Sequence, residues 1–219
     1  MIEFLHKNWL EIFAVITGLL YVYLQIRQNK IMWIVGFISS AMFVYIFFSS
    51  KIYAQSAIYG YYVIISVYGY WKWSVNAKFE VSPAGGGQGG GRLLTEENPT
   101  PLIPRQRGTP PRILYILIAI SIILSAILGW VLTKTDSPIP YYDGLAAGFS
   151  VVATWMVTQK IIQHWYFWMG INLFCVPLYA SQGLYFTAFM FLVYFIMSII
   201  GLREWEKNIE STSCDGTND

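Results

Sequence analysis

Charge is scarce in this chain. Asp, Glu, Lys and Arg together make up 12% of 219 residues, about half the share of a water-soluble domain. Histidine and cysteine are scarcer, with two of each: His6, His164, Cys175 and Cys214. Neither histidine has a cysteine or carboxylate at ligand spacing, and no serine has an adjacent base, so metal, cofactor and hydrolase readings all fail and the chain does not look like an enzyme. Cys175 sits in an apolar run and Cys214 in a polar tail, which implies no disulfide framework. A net charge of +2 is too small for a nucleic-acid surface. A cleavable leader is also unexpected: the first apolar run lacks a small-residue cleavage site and is followed at once by a second such run.

Hydrophobicity is what the chain has in quantity: 56% apolar residues, nine Trp and sixteen Tyr, and a mean hydropathy of +0.49. Runs close to the ~20 residues that cross a bilayer occur at 8–26, 31–50, 52–71, 113–133, 142–159, 162–181 and 184–202. Each must be helical, because in lipid every backbone amide needs an internal partner and a lone strand cannot supply one. An all-α membrane protein with seven transmembrane helices follows. Between the third and fourth runs, 74–112 carries SPAGGGQGGG and then a cluster of prolines; this composition reads as a flexible loop. A phosphate-binding loop would need a strand before the glycines and a helix start after them, and neither flank fits, so the linker reading is favoured. Residues 206–219 read as a polar tail.

Seven crossings sort the cationic residues onto two sides. One side receives Arg27, Lys30, Lys72, Lys78, Arg92, Arg105, Arg107, Arg112, Lys160, Arg203 and Lys207; the other receives Lys7, Lys51 and Lys134. The positive-inside rule makes the first side cytoplasmic, with the N-terminus out and the C-terminus in.

The chain also resembles itself. Shifted by 132 positions, Trp33 falls on Trp165, Val44 on Val176, Ser49 on Ser181, Tyr53 on Tyr185, Tyr62 on Tyr194, Ile64 on Ile196, Ser66 on Ser198, Gly69 on Gly201 and Trp73 on Trp205. Biased composition gives roughly four or five such identities by chance in a window of this size. The expectation is a first three-helix repeat at 8–73, a linker helix at 113–133 and a second repeat at 142–205. An odd inserted helix returns the second triplet to the membrane in the orientation of the first, so the repeats are parallel, as in sugar transporters of the SWEET type. A pathway would run between the triplets.

Polar residues within the runs are almost all neutral; Glu11 lies near one end and Asp143 at a boundary. Coupled transporters place an ionisable group at mid-membrane depth, so uncoupled transport is expected. The densest polar-aromatic cluster is HWYFWMGIN at 164–172, where Trp165, Trp168 and Asn172 share one helical face. That face suits a flat, polar-rimmed or cationic heterocycle: indole attracts cations by ~0.5–2 kcal/mol, and an amide both donates and accepts. An interfacial aromatic belt explains Trp165 equally well. Tyr53, Gln55, Tyr61 and Tyr62, with Thr187 and Tyr194 opposite, complete a candidate cage, although each of these alone also suits simple packing.

KIIQHWYFWMGIN at 160–172, QGLYFTAFMFLVYFIMSIIGLREW at 182–205 and YGYWKW at 68–73 together resemble the PnuC family of vitamin transporters. The resemblance implies a 3+1+3 bundle in a bacterial inner membrane, facilitated diffusion without a cofactor, and trapping of the imported vitamin by a cytosolic kinase. It makes Trp165, Trp168 and Asn172 substrate residues and leaves homo-oligomerisation open. Nicotinamide riboside is the leading substrate it implies, with thiamine, as in the PnuT branch, the alternative. Gln163 stands where the family suggests Glu, and Ser40 stands in register with Asn172; both departures bear on which vitamin is carried.

Overall fold

The computed structural model describes residues 2–49, 53–81, 109–135, 139–181, 183 and 185–214. Among them are seven helices and no strand: α1 Ile2–Ile26, α2 Ile31–Ser49, α3 Tyr53–Val81, α4 Pro111–Leu132, α5 Pro140–Thr158, α6 His164–Ser181 and α7 Tyr185–Cys214. All seven expected runs are helical. Proline opens α4 and α5 at the first helical turn, where its missing N–H is no loss.

Three boundaries differ from the sequence reading, the first being that α1 begins at Ile2, six residues before the run expected at 8–26. Helix α3 continues to Val81, eight residues into the segment read as loop, and α7 continues to Cys214, through most of the segment read as tail. Polarity in KWSVNAKFEV marks where the apolar run stops, but nothing there breaks a helix; the first proline after residue 53 is Pro83, and the residue before a proline disfavours helix. The glycine-rich part of the loop lies outside the described residues.

The helices close into a ring. α1 packs on α2, α2 on α3, α3 on α5, α5 on α6, α6 on α7, and α7 returns to α1, while α4 packs on α5. Exchanging α1 with α5, α2 with α6 and α3 with α7 maps this set of ring contacts onto itself. Local geometry obeys the same exchange. Among the described residues, Gln28 and Lys160, 132 apart, are the non-glycine residues with positive φ, at 52° and 53°. Around them Gln28 N donates to Gln25 O and Asn29 N to Leu24 O at 3.0 and 2.9 Å, and Lys160 N donates to Val157 O and Ile161 N to Met156 O, both at 3.0 Å. Each set is a Schellman ending, in which the last helical carbonyls are satisfied by a left-handed residue. Trp33 meets Trp73 edge-on at 5.7 Å and 87°, and Trp165 meets Trp205 at 5.9 Å and 87°. Both pairs close over a glycine: a Cβ on Gly69 would enter the Trp33 indole, and one on Gly201 the Trp165 indole.

These four tryptophans lie at the end of the bundle that carries the 27–30 and 159–163 turns, and with Ile26, Met32 and Val157 they form one buried cluster. Lys72 Nζ donates to Gln159 Oε1 at that end, and Lys160 Nζ stands 5.1 Å from the centroid of Trp73.

Helix α4 has the inverted pattern of a lipid-facing element. Ile116, Ile120, Ile123, Ile127 and Trp130 are exposed, while Ser121, Ser125 and Gly129 are buried. The buried hydroxyls bond one turn back, Ser121 Oγ to Leu117 O at 2.8 Å and Ser125 Oγ to Ser121 O at 2.7 Å. Small residues let the backbones approach: a Cβ on Gly144 would collide with the Gly129 backbone, and one on Gly148 with Ser125. Only 22% of the most apolar window of α4 is buried, which water would not tolerate and lipid does.

Candidate functional site

A cavity of about 360 Å³ lies inside the ring and is lined by residues of all six ring helices and none of α4. This is the size of a small-molecule pocket. Trp165 is part of its lining and packs on Trp205 and His164, whose ring centroids lie 5.9 and 4.6 Å away.

Helix α6 supplies one wall, because 165, 168 and 172 fall on one helical face: Trp165, Trp168 and Asn172 all line the cavity. Trp165 and Asn172 are buried, and Trp168 is half-buried. Neither indole N–H has a hydrogen-bond partner. Asn172 Nδ2 donates to Ser198 Oγ at 3.3 Å, and Ser198 Oγ donates to Tyr194 O at 2.8 Å, so the amide is held against α7. Tyr62 and Tyr194 also line the cavity. The Tyr194 hydroxyl occupies the space that a side chain at Gly18 would need.

Tyr61, expected in the same cage, is not part of the lining. Its hydroxyl donates to Val151 O at 2.8 Å, so it fastens α3 to α5 instead; adjacent helical residues project about 100° apart, and Tyr62 takes the inward direction. The side chains of Tyr53, Gln55 and Thr187 lie outside the described residues.

Several lining residues were not singled out by spacing: Tyr21 and Gln25 on α1, Ser39 and Ser40 on α2, and Tyr59 on α3. The available signal was polarity inside an apolar run, which marks Gln25 and the serines but does not distinguish a cavity from a helix contact. The α2 wall is thin where the α6 wall is thick. Gly36 stands 132 positions before Trp168, and a Cβ there would already be 3.1 Å from the Tyr21 ring. Among the described residues the lining has no charged side chain, and no cluster of three His, Cys, Asp or Glu could hold a metal ion.

An inverted helix at the rim and a ring of helices around an uncharged, aromatic cavity define an integral, multi-pass membrane protein of the transporter class. The family model described as "Nicotinamide mononucleotide transporter" matches residues 8–207, and the chain belongs to this family, the PnuC family, one of transporters rather than enzymes. It is 20% identical over 221 residues to the "Nicotinamide riboside transporter PnuC" of Escherichia coli, covering 90% of this chain and 85% of that protein. It is 26% identical to the "Riboflavin/roseoflavin transporter RibM" of Streptomyces davaonensis over 66 residues, 30% of this chain and 31% of the other. The fold is that of a crystal structure of the "Vitamin B3 transporter PnuC", with a TM-score of 0.67, 20% identity, and coverage of 95% of this chain and 85% of that one.

Proposed function

We propose that the protein imports nicotinamide riboside across a bacterial inner membrane by facilitated diffusion, with a cytosolic kinase making uptake directional by phosphorylating the product. The observation that carries this reading is the cavity itself: aromatic walls, neutral polar groups, and no charged side chain among its described residues. A pyridinium ring suits the face of Trp168, where an indole contributes ~0.5–2 kcal/mol toward a cation. The ribose hydroxyls suit Asn172, Ser39 and Ser40. A phosphate would enter with no cation to pair it, and an unpaired buried charge is prohibitively costly, which favours the nucleoside over the mononucleotide.

The same neutrality supports uncoupled transport, since coupling needs an ionisable group along the pathway. The 3+1+3 arrangement of parallel repeats is supported by the exchange symmetry of the ring, the paired turns and the paired tryptophan contacts. Arg27, Lys30, Lys72 and Lys160 gather at the tryptophan-sealed end, which supports that end being cytoplasmic. Trp165, Trp168, Asn172, Tyr62 and Tyr194 are the proposed substrate contacts.

Isothermal titration of the purified protein with nicotinamide riboside and with thiamine tests this reading. Heat with nicotinamide riboside alone is expected. Heat with thiamine alone would keep the cavity and mechanism but overturn the substrate, and heat with neither would overturn both assignments.

A further inference from the structure

Gln25 lines the cavity and is 2% exposed, yet its Nε2 has no hydrogen-bond partner. A buried amide donor is ordinarily satisfied within the protein, and the residue that carries this one is part of the cavity wall. Its backbone is held from two sides. Gln25 O accepts from Trp205 Nε1 at 3.2 Å across the α1–α7 contact and from Gln28 N at 3.0 Å within the Schellman ending. The helix-packing role of this residue is therefore performed by its carbonyl, and its side-chain donor is unspent.

The donor exists in one half of the bundle only. The position 132 residues on is Val157, buried in the tryptophan cluster and not part of the lining. The other large asymmetry runs the opposite way, with Trp168 on α6 where α2 has Gly36. A pseudo-symmetric cavity thus acquires a flat aromatic surface on one side and an amide donor on the other, which fixes how an asymmetric ligand can lie.

We propose that Gln25 donates a hydrogen bond through Nε2 to an uncharged acceptor on the transported heterocycle, a carbonyl or hydroxyl oxygen or a ring nitrogen, and is a specificity-determining residue of this cavity. The inference rests on the reading of the cavity as the substrate site. A substrate lacking an acceptor at that point leaves the amide unpaired, and discrimination of this kind exceeds what apolar contact supplies.

The test uses the full-length protein, titrated with nicotinamide riboside, thiamine and riboflavin. Gln25→Met keeps the length of the side chain and removes the donor; Gln25→Asn keeps the donor and draws it back. Gln25→Met is expected to lose roughly tenfold or more in affinity for whichever probe the wild type binds, with the melting temperature of the unliganded protein unchanged. Unchanged affinity overturns the proposal, and so does a loss of affinity matched by an equal loss of unliganded stability in both variants. Tenfold loss for thiamine or riboflavin, with no binding of nicotinamide riboside by the wild type, supports Gln25 and overturns the substrate named above. A wild type that binds none of the three overturns both. Should Gln25→Met fail to fold, wild-type protein labelled with ¹⁵N-glutamine decides: the side-chain amide pair that Gln25→Asn deletes from the spectrum must shift when the bound probe is added, and a stationary pair overturns the proposal.

Discussion

Gln28 and Lys160 turn the chain through the same left-handed backbone, with φ of 52° and 53°. Left-handed backbone costs a residue with a Cβ roughly 1–2 kcal/mol, and both positions accept that cost to end a helix in the same way. Glycine there removes the strain. Gln28→Gly is expected to leave the unfolding temperature equal or slightly raised, Lys160→Gly to gain less because it also gives up the Nζ contact over Trp73, and Gln28→Val and Lys160→Val to lower it. Opposite responses at the two positions would show that the turns are not energetically equivalent.

Gly69 and Gly201 support a paired prediction of larger size. Each lies under an indole that a Cβ would enter, while nothing lies within 4 Å of a Cβ on Gly60 or Gly170. Gly69→Ala and Gly201→Ala should each cost about 1–3 kcal/mol through overpacking. Gly60→Ala and Gly170→Ala should be neutral or stabilising by about 0.5–1 kcal/mol, since alanine favours helix. Detergent-phase thermal unfolding reads all four.

Trp165 and Trp168 line the same cavity but should separate in experiment. Trp165 is 1% exposed and packs on Trp205, His164 and Gly201, so Trp165→Ala is expected to lose stability by about 3–5 kcal/mol as well as binding. Trp168 is half-buried, and Trp168→Ala should keep the fold while losing roughly tenfold or more in substrate affinity. Melting temperature and titration on the same preparation distinguish the two outcomes.

Much of this was legible in the sequence, for physical reasons. Lipid as solvent requires helices, so the apolar runs placed all seven. The 132-residue offset could be read because Trp33, Gly69 and Trp73 form one contact, and its partners Trp165, Gly201 and Trp205 must be retained together for that contact to exist twice. Trp165, Trp168 and Asn172 could be read as one face because helical spacing alone sets it. The C-terminal reach of α3 could not, since hydropathy reports where lipid ends and says nothing of where hydrogen bonding ends. Tyr61 and Tyr62 could not be told apart either: both are aromatic and adjacent, and only the position of the α5 backbone assigns one hydroxyl to Val151 O and leaves the other residue on the cavity. Gln25 was visible as a polar residue in an apolar run, but that its Nε2 finds no acceptor is set only by how the helices around it pack.

Helix α4 contributes nothing to the cavity lining and much to the α5 seam, so damage there should affect the fold alone. Gly148→Leu forces a side chain into Ser125 and is expected to destabilise the protein by about 1–3 kcal/mol. The fraction that remains folded should bind substrate with unaltered affinity. A large change in affinity in that fraction would place α4 in the pathway.

The measurement that bears most directly on the neutral, aromatic cavity is counterflow in proteoliposomes preloaded with unlabelled nicotinamide riboside. Labelled nicotinamide riboside or its 5′-phosphate is supplied outside, and proteoliposomes that are not preloaded are given labelled nucleoside with and without an imposed pH gradient. Rapid exchange of the nucleoside, none of the nucleotide, and no accumulation of nucleoside in response to the pH gradient are expected. Exchange of the phosphate at a comparable rate, or accumulation of nucleoside above its outside concentration driven by the pH gradient and abolished by a protonophore, would contradict the neutral, uncoupled cavity.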